Sequence, residues 1–160
     1  MAEANKTGEL SELEKQQLMA LGEDDLEDLP EYVNPPDGTY VFKMGKRQMK
    51  KVGENKAITI DWTVQGVVEL ADPATPESEL PKLNDVMSLM FNMDNEFGRG
   101  NYKKVVTALK ASHGFSGTAD IFAAPDDTVT VQMTVRRTEQ KKNNVVKLFS
   151  NLVSIVGVAG

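Results

Sequence analysis

The chain has 160 residues, 40% of them hydrophobic and 26% charged, with a formal net charge of -6; this suits one domain with a modest core plus a polar appendage. It has no cysteine, so neither a disulfide framework nor a thiolate zinc site is available. Residues 1–12 are polar and acidic, unlike a secretory signal, and no apolar run approaches the ~20 residues that span a bilayer, so a cytoplasmic location is expected.

Residues 1–8 read as disordered. From Glu9 to Leu21, the residues Leu10, Leu13, Gln17, Leu18 and Leu21 share a helical face that ends at Gly22. Residues 23–29 interleave acids with Leu26 and Leu29, a composition that stays unfolded until a partner orders it. Pro30, Pro35 and Pro36 then read as a stiff linker. The expected boundary separates an acidic arm, residues 1–35, from a body, residues 36–160.

The body opens on the Asp37-Gly38 turn signal. Tyr40, Phe42 and Met44 alternate with Val41 and Lys43 as a first strand, and Gly45 marks a bulge or sharp bend. Ile58, Ile60, Trp62 and Val64 alternate with Thr59, Asp61 and Thr63 as a second strand, which places Trp62 in the core. Residues 69–84 form an excursion and residues 86–93 a third strand. The spacing of Tyr102, Val105, Val106 and Leu109 predicts a helix capped by Asn101 and stopped at Gly114. A loop through Asp126-Asp127 precedes a fourth strand on Val129, Val131, Met133 and Val135, and a polar turn at 141–144 leads to a fifth over 145–156. The order β-β-β-α-β-β with a bent first strand predicts a mainly β, five-stranded Greek-key OB-like barrel carrying an acidic, partly helical or disordered arm.

Charge is sorted along this order. Residues 1–34 carry ten acids and two bases; residues 35–160 carry fourteen acids and sixteen bases. Bases cluster at Lys43, Lys46, Arg47, Lys50, Lys51 and Lys56, then at Arg99, Lys103, Lys104 and Lys110, then at Arg136, Arg137, Lys141, Lys142 and Lys147. Positive charge concentrated on a few elements is the footprint of a polyanion ligand. Single-strand binders add aromatic platforms, because each base offers a π-face and each phosphate a charge. Phe149 lies on the face of Val145, Lys147 and Asn151, opposite Val146, Leu148 and Leu152, and is a candidate platform. Phe97, beside Arg99 in a glycine-framed loop, is another.

Enzymatic constellations are missing. His113 is the only histidine and reads as a surface or capping residue, since chemistry needs companion ligands or an acid partner. Gly98-Arg99-Gly100 lacks the third glycine and strand context of a dinucleotide loop. Asp94, Glu96, Asp120, Asp126 and Asp127 lack EF-hand spacing and read as solvated loop acids. No cofactor or metal is expected.

Pro36-Asp37-Gly38-Thr39-Tyr40, the lysine-rich first hairpin, Phe91-Asn92-Met93, the helix ending at Gly114, and Val135-Arg136-Arg137 followed by Asn144-Val145 together resemble single-stranded DNA-binding proteins of tailed bacteriophages. The likeness spans about residues 36–156. It implies an OB barrel coating single-stranded DNA with little sequence preference during phage replication, recombination or repair in the host cytoplasm. One departure stands out: single-strand binders of the bacterial type carry their acidic recruiting tail at the C-terminus, whereas here the acids precede the body. The arm is expected to compete for the basic groove through residues 24–31, or to recruit replication or recombination proteins. The other expected role is a virion or assembly protein using the barrel as a docking module, with oligomerisation.

Overall fold

The computed structural model describes residues 32–158. The helix expected over 9–21, the acid–leucine segment 23–29 and Pro30 lie outside the described residues. In chain order the elements are β1 (Gly38–Val52), β2 (Asn55–Leu70), a 3-10 turn (Glu77–Glu79), β3 (Val86–Asn92), α1 (Glu96–His113), α2 (Thr118–Ala123), β4 (Thr130–Lys142) and β5 (Val145–Val158). The strands form one sheet in the order β3-β2-β1-β4-β5, with every neighbouring pair antiparallel.

Strand alternation builds the core. Tyr40, Phe42 and Met44 of β1 face inward with Ile60, Trp62 and Val64 of β2, Met87 and Leu89 of β3, and Val131, Met133 and Val135 of β4. Tyr102, Val105 and Leu109 of α1 and Ile121 of α2 close over them. Each such fully buried apolar side chain contributes about 1.5–3 kcal/mol through burial. Tyr40 keeps its hydroxyl satisfied by donating to Pro36 O at 2.5 Å. Burial first, opposed by nearby Arg137 and reinforced by Asp37, pushes its phenol up to about 12.

The sheet is open: β3 and β5 are its edges, with no ladder between them among the described residues. Two devices bridge that gap. α1 packs across both β5 and β3, and residues 32–37 form a strap. Val33 N donates to Val86 O of β3 at 2.8 Å, while Asn34 Oδ1 accepts from Ser150 Oγ of β5 at 2.8 Å. Asp37 Oδ1 accepts from Arg137 N of β4 at 2.6 Å. The prolines at 35 and 36 thus lie within a segment stitched to three strands.

Two expectations about helices are corrected. α1 begins at Asn95 and not Asn101: Asn95 Oδ1 accepts from Gly98 N at 2.6 Å. Gly98, in the first turn, packs close to β3, where a Cβ would run into Asn92 O. Phe97 therefore sits in the first turn of α1 and not in a loop. The six-residue α2 falls where a plain loop was expected.

Candidate nucleic-acid interface

The bulge in β1 decides which bases face solvent. Met44 pairs with Trp62 and Arg47 with Ile60, so Gly45 and Lys46 together stand opposite Asp61. That extra residue reverses the alternation. Before it, Lys43 points outward. After it, Arg47 falls on the inner side opposite Ile60, and Gln48 and Lys50 take the outer face.

Arg47 is consequently withdrawn from the expected phosphate-binding set. Its side chain is 5% exposed and meets Asp126 at 2.8 Å, while Asp126 remains 63% exposed. The guanidinium also donates to the carbonyls of Gly45 and Ala124. It ties the bend in β1 to the segment after α2. Among the described residues this is the one ion pair; Lys46, Lys50, Lys51, Lys56, Lys141 and Lys147 are all exposed.

The β1–β2 hairpin turns through Gly53, at φ 63. Its tip is tied to the entry of α1: Met93 N donates to Lys56 O at 2.8 Å, and Lys56 N donates to Asp94 Oδ2 at 2.5 Å. Arg99 and Lys103 are exposed on α1, and Lys104 Nζ donates to Val153 O at 3.2 Å. Phe97 is 73% exposed and borders a small cavity of about 110 Å³ with Leu89, Phe91, Ser150 and Leu152. The entry of α1 therefore meets the first hairpin near its tip, and its first turn borders the root of the β4–β5 hairpin.

β4 and β5 continue past the sheet as a two-stranded ribbon. Residues 137–142 pair with 145–150, while β1 reaches only Val135 of β4. Asn143 and Asn144, at φ 53 and 64, make the two-residue turn whose left-handed pair suits a tight hairpin. Arg136 and Lys141 are exposed, and Lys142 closes the ladder opposite Val145. Arg137 is half-buried and donates to Asn34 O at 3.4 Å. Phe149 is 41% exposed. The expected inward face of Val146, Leu148 and Leu152 holds only at Leu152: with no layer beneath the ribbon, Val146 and Leu148 are exposed like Val145.

Sequence reading missed Tyr32, which sits in a segment with no periodicity. Its backbone bridges Val86 at the outer edge of β3, and its hydroxyl donates to Asp61 Oδ2 of β2 at 3.2 Å. Asp61 pairs with Ser88, so the phenol spans β3 on the outer face of the sheet. Partial burial and then the Asp61 carboxylate hold the phenol above its ordinary pKa.

A separate concavity lies between α1 and β5. This groove of about 780 Å³ is lined by Ala108, Ala111, Ile155 and Val156, with Lys103 and Lys104 beside it. His113 ends α1, its Nδ1 2.6 Å from Ser112 Oγ. Asp120 accepts from the amide and hydroxyl of Ser116, which hold its carboxyl below the usual range. Among the described residues no group of three or more His, Asp or Glu is arranged to hold a metal, and no helix is long and apolar enough to cross a membrane. Neither a known sequence family nor a curated protein matches this chain.

Proposed function

We propose that this protein is a non-enzymatic, OB-type binder of single-stranded DNA, largely indifferent to sequence. The observation that carries the reading is a set of exposed lysines, without ion-pair partners among the described residues, on two hairpins: the first is tied near its tip to the entry of α1, and the second has its root beside Phe97 in the first turn of α1. Strand order supports it as well. An OB barrel orders its strands around the first, places its helix between the third and fourth, and binds oligonucleotides on the outer face of the second and third strands and the flanking loops. Here that face carries Lys43, Lys46 and Lys50 from the adjacent β1. The likeness to tailed-phage proteins extends the reading to phage replication, recombination or repair in the host cytoplasm.

Titration with oligo-dT across a salt series tests it. Binding is expected at low salt, with log K falling by about 0.7 per phosphate contacted for each unit of log salt. No affinity at low salt, or a flat slope, would end the proposal.

The exposed apolar side chains Val145, Val146, Leu148 and Phe149 on the ribbon favour one second reading, a virion or assembly module that docks through β4–β5. Under that reading the purified chain forms symmetric assemblies that are indifferent to added oligo-dT.

A further inference from the structure

We propose that Tyr32 is a nucleobase-stacking platform on the outer β2–β3 face, with Asp61 as its positioning residue. The inference rests on the single-strand reading and assigns a base contact within it.

The ring is fixed at both ends. Its backbone bridges Val86, and the neighbouring Val33 N donates to Val86 O at 2.8 Å; its hydroxyl donates to Asp61 Oδ2 at 3.2 Å. Yet the residue is 53% exposed, so the anchored ring presents surface to solvent. An aromatic side chain held this way has already given up the rotamer freedom that binding would otherwise cost.

Its setting fits a nucleotide. Lys43 pairs with Thr63, two residues along β2 from Asp61, and the Gly45–Lys46 bulge stands directly opposite Asp61. A base lying on the phenol would thus have ammonium groups nearby for its phosphates, the pairing of ring and charge that sequence-tolerant single-strand binding uses. The Asp61 carboxylate accepts the phenol's hydrogen bond and so fixes the ring's orientation.

The test uses the full chain and oligo-dT. Tyr32→Ala is expected to weaken binding about ten-fold at every salt concentration, leaving the salt slope unchanged because a ring neutralises no phosphate. Tyr32→Phe should stay within about two-fold of the parent protein, since the ring is retained. The double variant Tyr32→Ala/Asp61→Asn should remain as weak as Tyr32→Ala. Recovery in the double variant would show that an uncovered carboxylate caused the loss, and would overturn the proposal. So would Tyr32→Ala binding within about two-fold of the parent, or with an altered slope. Irradiating the unmodified protein with an oligo-dT carrying 5-iododeoxyuridine supplies a measurement independent of folding: a crosslink mapped to Tyr32 supports the assignment and its absence rejects it. If the parent protein fails to bind oligo-dT at all, the function proposed above falls first, a result distinct from binding that ignores Tyr32.

Discussion

The two hairpins are chemically alike and mechanically different. Both end in exposed lysines, Lys50, Lys51 and Lys56 on one, Lys141 and Lys147 on the other. The β1–β2 hairpin is backed almost to its tip, because β3 pairs with β2 as far as Ala57 and Arg47 ties the bend in β1 to Asp126. The β4–β5 ribbon has seven rungs beyond the last pair with β1, and no third strand backs them. An isolated two-stranded ribbon is marginal in water. The first hairpin thus offers a fixed surface, and the second an apolar, basic flap.

Removing the anchor of the first hairpin should have the largest effect. Arg47→Gln gives up charge-assisted hydrogen bonds in a mostly buried setting and should cost about 2 kcal/mol of stability in urea unfolding. The salt slope of oligo-dT binding should not change. A flattened slope with stability intact would return Arg47 to the phosphate contacts and erase this difference between the hairpins.

Charge removal at the tips comes next. Lys50→Gln/Lys51→Gln and Lys141→Gln/Lys147→Gln should each flatten the salt slope by about 1.4, two contacts' worth, without moving the thermal midpoint. If only one pair flattens it, the other hairpin does not touch the strand.

The smallest effect belongs to the acidic arm, which joins the described chain at Tyr32 on the outer edge of β3. Removing residues 1–31 keeps the strap and should tighten low-salt binding a few-fold if the arm competes for lysines. The gain should vanish near 1 M salt, where the screening length is about 3 Å. It should also be absent in the Lys50→Gln/Lys51→Gln background if the arm covers the face from which it leaves. Unchanged or weaker binding after removal discards competition and leaves the single-strand reading standing.

Much of the sheet was legible because its inner face is uniformly apolar. The alternations at Tyr40 to Met44, Ile58 to Val64 and Val129 to Val135 each matched a strand, and Trp62 lies in the core as expected. Gly45 was readable as a bend; its consequence for Arg47 was not, since a bulge reverses alternation only once the partner register is known. The start of α1 was hidden by Gly98 and Gly100, whose low helix propensity reads as a break. Gly98 is there for its approach to Asn92, a tertiary demand that overrides propensity. α2 is too short to show a period. Along the ribbon, alternation of Val145 to Leu152 predicted an inside and an outside, but a ribbon without a covering layer has neither. Tyr32 left no signal, because its partner Asp61 lies 29 positions away, beyond the whole of β1.

The strap of residues 32–37 gives the arm a leverage that its composition does not reveal. Where a closed barrel would have a ladder between its edge strands, this sheet has a seam, and the thread sewn through it is the chain leading in from the arm. Val33 holds one lip at Val86; Asn34 and Asp37 hold the other at Ser150 and Arg137. A partner that grips the arm therefore pulls on the stitching, and tension is delivered first to the line where the sheet is not closed by strand pairing. A truncation placed at Pro36, where composition draws the domain boundary, cuts the thread as well as the tail.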